Sequence, residues 1–329
     1  MLKKLFPQEF FQLEAASGIV LFISALIALV WANSSFHESY RIFWNFQTIG
    51  MSLHHLINDG LMTIFFLVVG LEIKREIIRG ELSSKTKAIL PIAAAIGGML
   101  VPALIYTAFN QGVSGKVGWG IPIATDIAFA IGVLTLLGNR VPASLKVFLT
   151  ALAIVDDLGA VLIIAFFYTA QLSRISLVIG IGILGILFIL NKMGVLKTWV
   201  YLAAGALAWL AFLKSGIHAT IAGVLLSFVI PTRTGAKLEH VLRPWVSFGI
   251  MPLFALANAG VLLSGGTMLH PVSVGIMAGL LVGKQVGITF FSWIAVKSKI
   301  AALPEGVGWG QLYGIGWLGG IGFTMSLFI

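Results

Sequence analysis

Cysteine is absent from the 329 residues, which excludes disulfides, thiolate metal centres and cysteine nucleophiles. Charge is scarce: Asp, Glu, Lys and Arg make up 10% of the chain, against 59% hydrophobic residues. The mean hydropathy is +1.03. An ordinary soluble domain is thereby excluded, and an all-α, multi-span membrane protein is indicated. Acidic residues are scarcer than basic ones, 12 against 21, giving a net charge of +9. Nucleic acid binding does not follow, because the basic residues fall in alternate connections between apolar runs. No cleavable signal peptide is evident, since Lys3 and Lys4 precede a first apolar run long enough to span.

About eleven spans are expected, at 13–32, 57–76, 88–109, 119–138, 143–169, 174–191, 197–213, 215–230, 244–264, 272–296 and 309–329. Their connections are short and rich in Gly, Pro and Asn, so residues 1–329 read as one transmembrane domain without linkers. Sixteen of the 21 Lys and Arg residues fall on the side that holds the N-terminus, and four fall on the other. That asymmetry orients the N-terminus to the cytoplasm. The longest outer connection, 33–55, reads as a surface loop, with pairing to a second copy as the alternative. Trp31, Trp44 and Trp119 read as aromatic anchors, and Phe6–Phe11 as an interfacial lead-in.

The few charges inside the spans carry the functional argument. Asp156 and Asp157 sit side by side halfway along 143–169. One Asp at the centre of a spanning helix costs about 2.5–3.5 kcal/mol on insertion scales. Two adjacent anions also repel each other, so the pair needs water, a counter-ion, a proton or a metal cation. The structural alternative is a pair of acids neutralised by protonation, with no transport role. Asp126 lies near the middle of the fourth span, after Gly120 and Pro122. The eleventh span carries five glycines between Gly314 and Gly322. Breaks there free backbone groups that hydrocarbon cannot satisfy, so they must be buried in protein or line a wet cavity. Two broken spans of opposite direction point to an inverted-repeat transporter with a midplane site. Lys284, in the tenth span, needs an anion, and the candidates are Asp126, Asp156 and Asp157.

Other charges have a blander default. Glu72 and Glu76 lie four residues apart at the inner end of the second span, among Lys74, Arg75 and Arg79. They read as a solvated, salt-bridged helix end or as a charged cytoplasmic mouth. Glu239, His240 and Arg243 read as a solvated cluster on an inner loop, His218 as a structural histidine, and Asp59 as interfacial.

Together these segments resemble the NhaA family of bacterial sodium/proton antiporters. The matching stretches are GLEIKREI (70–77), AIGGMLVPAL (95–104), IPIATDIAFAIGVL (121–134), ALAIVDDLGA (151–160), LKSGIHATIAGV (213–224), KLEHVLRPW (237–245), PLFALANAG (252–260), GLLVGK (279–284) and GIGFTMSLFI (320–329). The resemblance implies an inverted-repeat fold with broken fourth and eleventh helices, and a twelfth helix beyond Ile329 that this chain lacks. It implies a secondary antiporter exchanging Na⁺ or Li⁺ for H⁺ in the bacterial inner membrane, regulated by pH. Such a protein is not an enzyme, needs no cofactor and works among membrane lipids, as a single copy or a homodimer. Asp156 and Asp157 would hold the transported ion and the proton, Thr125 and Asp126 would belong to the extended part of the fourth span, and Lys284 would pair with the carboxylates. Glu72, Glu76, Glu239, His240 and His218 would correspond to positions tied to pH response. Gln285 stands where the family often has proline, and Arg243 where it often has histidine.

An intramembrane aspartyl protease also uses two midplane acids, but no acid here lies in a GxGD motif. A cation channel, or a truncated homologue that does not transport, is the alternative function.

Overall fold

The computed structural model describes residues 8–48, 50–112, 114–168, 172–263 and 269–329. Lys3, Lys4 and Phe6 lie outside them. In chain order the elements are α1 (Gln8–Ala32), α2 (His37–Asn45), β1 (Gln47–Thr48), β2 (Met51–Ser52), α3 (Leu53–His55), α4 (Met62–Arg79) and α5 (Lys85–Phe109). They continue as α6 (Ile127–Leu136), α7 (Ala143–Phe167), α8 (Arg174–Lys192), α9 (Thr198–Ser215), α10 (Ile221–Val229), α11 (Thr232–Trp245) and α12 (Met251–Asn258). The last are α13 (Pro271–Ala278), α14 (Lys284–Lys297), α15 (Trp309–Gly319) and α16 (Phe323–Phe328). Wide π-helical turns at Leu56–Leu61, Val246–Ile250 and Gly279–Gly283 join α3 to α4, α11 to α12 and α13 to α14. A 3₁₀ segment, Ser114–Ile123, precedes α6.

Among the described residues, eight continuous segments are long and apolar enough to cross a membrane. The count becomes nine if α1 and α2, bent by 114°, form one span. The protein is thus all-α and multi-span. The fourth span is broken between Ile123 and Ile127, and the eleventh between Gly319 and Phe323. The eighth helix of the sequence reading holds nine residues, α10, after a turn that Gly216 makes at φ 84°.

Two regions are more ordered than the sequence suggested. The outer connection 33–55 is not a bare loop but contains α2 and the antiparallel strands β1 and β2, paired as Gln47↔Ser52 and Thr48↔Met51. Tyr40 and Trp44, four apart on α2, are both buried, and Tyr40 Oη lies 2.9 Å from the carbonyls of Leu256 and Ala257, with one proton to donate to either. Trp44 is therefore a packing residue, in edge contact with Phe43 at 4.8 Å between ring centres, and not an exposed anchor. The inner stretch carrying Lys237, Glu239, His240 and Arg243 is helical, as part of α11. Its charges occupy one side of an amphipathic helix, which a reading for apolar runs alone does not detect.

The chain forms two compact units. One comprises Met1–Ile23, Glu76–Ala160 and Leu262–Ile329, and the other Ser24–Arg75 and Val161–Val261. The second is built on α8, α9 and α10 around Leu184, Leu187, Tyr201, Phe212 and Leu226. Lys74 closes the end of α10 there, its Nζ donating to the carbonyls of Ser227 at 3.3 Å and Phe228 at 2.7 Å. The first unit packs α5, α6, α7, α14 and α15 around Leu90, Ile131, Phe148, Leu149, Ile288 and Leu312.

Within the first unit α5 and α14 touch backbone to backbone. A Cβ on Gly97 would lie 2.2 Å from the Gly287 carbonyl oxygen, and one on Gly287 would lie 2.1 Å from that of Gly97. Close helix approach of this kind is the use membrane proteins make of glycine. It matters for the site because Lys284 is one turn away, its Cδ 3.6 Å from where a Gly98 Cβ would be. Gly287→Ala forces the helices apart and is expected to cost about 3 kcal/mol, the upper end for overpacking. Thermal unfolding of the detergent-solubilised variant checks this, and an unchanged midpoint would contradict it.

Candidate functional site

The site lies in the first unit, where the two broken spans meet. Residues 124–126 run without helical bonds between Ile123 and α6, and residues 320–322 separate α15 from α16. The stretches are tied together: the Asp126 amide donates to the Ile321 carbonyl at 2.7 Å. Backbone that would be an orphan in hydrocarbon is thus satisfied by protein.

Asp126 serves this junction. Its Oδ1 accepts the Phe129 amide at 3.0 Å, capping α6. Its Oδ2 accepts the Thr324 amide at 3.3 Å and the Thr324 hydroxyl. One carboxylate therefore sits at the amino ends of two helices, where the helix dipole favours negative charge. No described contact joins it to Lys284.

Lys284 instead meets Asp156. Its Nζ lies 2.6 Å from Asp156 Oδ2 and donates to Thr125 Oγ1 at 3.0 Å. The wide turn Gly279–Gly283 ends immediately before this lysine. Thr125 Oγ1 also stands 2.6 Å from Asp156 Oδ2 and 2.7 Å from the Gly319 carbonyl. A hydroxyl has one proton to give, so it donates to one of these oxygens at a time. The Gly319 carbonyl ends α15, so Lys284 and Thr125 also complement the negative end of that helix.

The other oxygen of Asp156, Oδ1, is buried and has no hydrogen-bond partner among the described residues. Asp157 is the next residue of α7, about 100° further round the helix. Asp156, Asp157 and Lys284 are 2%, 3% and 1% exposed. Buried carboxylate oxygen of this kind needs a water, a proton or a cation. Among the described residues no group of three or more His, Cys, Asp or Glu is placed to hold a resident metal ion.

Within the second unit, the residues that the resemblance ties to pH response fall into separate groups. Glu72 and Glu239 belong to a four-membered ring in the second unit. Arg243 Nη2 lies 3.0 Å from Glu72 Oε1 and 2.9 Å from Glu239 Oε1. Arg75 pairs with Glu239 and lies 3.3 Å from Glu72. Arg243 is thus built into an ion-pair network, a task for which its planar guanidinium suits it. Glu76 belongs to the first unit, where its Oε2 accepts the Glu81 amide at 3.1 Å. His240 is exposed. His218 keeps different company: its Nδ1 lies 3.7 Å from Asp59 Oδ1, and His55 lies 3.0 Å from Asp59 Oδ2. Asp59 precedes Glu72 by 13 residues of one helical segment, which puts the two near opposite ends, about 20 Å apart.

Sequence reasoning missed Thr324 as the partner of Asp126 and the Gly319 carbonyl as the partner of Thr125. It also missed the ring that Arg75 and Arg243 close. The glycines before Thr324 marked the break, but nothing local links Thr324 to a residue 198 positions earlier.

The sequence is similar to those of known proteins along nearly its whole length. A family model described as Na⁺/H⁺ antiporter 1 matches residues 8–329. A Na⁺/H⁺ antiporter NhaA of Vibrio campbellii is 54% identical, over 98% of this chain and 85% of its own length. Proteins of the same name from Vibrio cholerae and Oleidesulfovibrio alaskensis are 52% and 50% identical. Each aligns over 98% of this chain, and over 87% and 85% of its own. With nearly the whole chain matched and identities of 50% or more, the chain belongs to the Na⁺/H⁺ antiporter 1 family.

Proposed function

We propose that this chain is a secondary antiporter that exchanges Na⁺ for H⁺ across a membrane, with Asp156 and Asp157 as the shared ion and proton site. The observation that carries the reading is Asp156 itself. One of its oxygens is clamped by Lys284 and Thr125, while the other is buried without a hydrogen-bond partner among the described residues. A hard cation takes oxygen ligands, and carboxylate, hydroxyl and carbonyl oxygens converge here. When the cation arrives the acids give up protons; when it leaves they take them back. Alternating access exposes the same site to either side. Lys284 and Thr125 hold Asp156 in place through the cycle, and Asp126 fixes the junction against which Thr125 is aligned.

Finer points of the same reading follow. Li⁺ uses the site as Na⁺ does. The membrane is the bacterial inner membrane, and the N-terminus faces the cytoplasm, as the distribution of basic residues supports. Lipid surrounds the spans, and the chain works as a single copy or a homodimer. Glu72, Glu76, Glu239, His240 and His218 set the pH at which exchange begins.

Everted or reconstituted vesicles with an acid interior test the function. Na⁺ added outside is expected to relieve fluorescence quenching of a pH dye by drawing protons out. A Na⁺ current without proton movement would indicate a channel, and no Na⁺-dependent signal at all would contradict transport.

A further inference from the structure

We propose that Gln285, Thr289 and Ser292 line a file of buried water along α14 that carries protons past Lys284. The hydration concerns α14 alone, whereas the proton traffic rests on the antiport reading above.

Gln285 Oε1, Thr289 Oγ1 and Ser292 Oγ are buried and have no hydrogen-bond partner among the described residues. Gln285 and Ser292 are 1% and 0% exposed. Such atoms are rare in folded proteins, because an unsatisfied buried hydroxyl or amide costs the full desolvation of that group. Three in one helix of fourteen residues is a pattern and not an accident of one rotamer. The usual way out for a helical hydroxyl is a bond to the carbonyl four residues back. This chain takes it repeatedly: Thr107 to Ala103 at 2.7 Å, Thr135 to Ile131 at 2.8 Å and Ser298 to Ile294 at 2.7 Å. Thr289 and Ser292 do not.

Their spacing is that of one helix face, at i, i+4 and i+7. The face is defined by its neighbours. Gly287 and Phe291, on another side of α14, meet Gly97 of α5. The polar row is turned about 150° from them. There Gln285 meets α15 and its break: a Cβ on Gly316 would lie 2.7 Å from Gln285 Cα, and one on Gly320 would lie 3.2 Å from Gln285 Nε2. One amide proton of Gln285 goes to the preceding turn, Nε2 donating to the Leu280 carbonyl at 3.1 Å. That bond leaves Oε1 without a partner among the described residues.

Neighbours three or four apart on a helix stand about 5–6 Å from each other. Two hydrogen bonds of about 2.8 Å meeting at one water span about 4.5–5.6 Å, depending on the angle at its oxygen. One water between each pair therefore satisfies all three atoms and makes a continuous file about 10 Å long. It runs from beside Lys284 toward the Lys297 end of α14, which lies five residues beyond Ser292. A proton joining the file attaches to one water while that water passes another forward. The threonine and serine hydroxyls both accept and donate, so each hop leaves them unchanged. The Gln285 oxygen only accepts, and it orients the water nearest Lys284.

The absence of native cysteine makes the test clean. In Ser292→Cys, radiolytic hydroxyl labelling, which forms the radical from water beside the thiol, is expected to oxidise Cys at least tenfold faster than in Ala295→Cys. Ala295 is equally buried but belongs to the apolar core. In the double variant Thr289→Val with Ser292→Ala, which keeps shape and removes both hydroxyls, the maximal exchange rate is expected to fall at least fivefold. The half-saturating Na⁺ concentration should stay within twofold. Labelling no faster than in Ala295→Cys overturns the water file, and a double variant that exchanges at the parent rate overturns its proton role. A double variant that melts above the parent also overturns the file, because it would mean that the hydroxyls were dry. A parent protein with no Na⁺-dependent proton movement sinks the antiport reading instead, and the labelling comparison still decides whether the water is there.

Discussion

Asp157→Asn is expected to abolish Na⁺-dependent proton movement while the protein still inserts and folds. The amide keeps the shape of the carboxyl group. It neither titrates nor carries charge, so it removes the function without removing the volume. Asp157 is 3% exposed on a helix packed into the first unit, and burial of a charge is a cost that the amide does not bear. The variant should therefore be at least as stable as the parent. Vesicle dequenching gives the activity, and thermal unfolding gives the fold. A variant that retains most of the exchange would remove Asp157 from the site.

Lys284→Ala is expected to damage stability and transport together. The ammonium and Asp156 are buried at a separation of 2.6 Å, 1% and 2% exposed in their side chains. Removing one partner of such a pair leaves an uncompensated buried charge, at a cost of about 3–5 kcal/mol. Lys284→Arg keeps the charge and should retain more of both properties. Melting curves of the three proteins settle the point, and an Ala variant as stable as the parent would count against the pairing.

The contrast between these two acids could not be read from their adjacency. Sequence alone marked Asp156 and Asp157 as a costly pair and Lys284 as needing an anion. It named Asp126, Asp156 and Asp157 as candidates and Asp156 as the expected main partner, but no local pattern decides among them, because the choice depends on how α14 is turned. That turn is fixed by the Gly97–Gly287 contact and by the wide turn at Gly279–Gly283, and neither has a local signature beyond glycine. The broken spans were legible because Pro and Gly break helices for reasons internal to the residue. The partners across the break were not, since Thr324 and Asp126 meet only through the tertiary fold. Likewise α11 was hidden by its charges, and α2 by its length of nine residues. Apolar runs report what faces lipid, and both of these helices present a polar side.

The central claim is that cation and proton compete for one buried site. Exchange measured against Na⁺ at several pH values, kept equal on the two sides of the membrane, tests it most directly. Where the site is protonated, each proton that must leave costs about tenfold in apparent affinity per pH unit. The half-saturating Na⁺ concentration is therefore expected to fall steeply as pH rises and then to level, with the maximal rate little changed. A half-saturation that stays flat while the maximal rate collapses at low pH would contradict competition at Asp156 and Asp157.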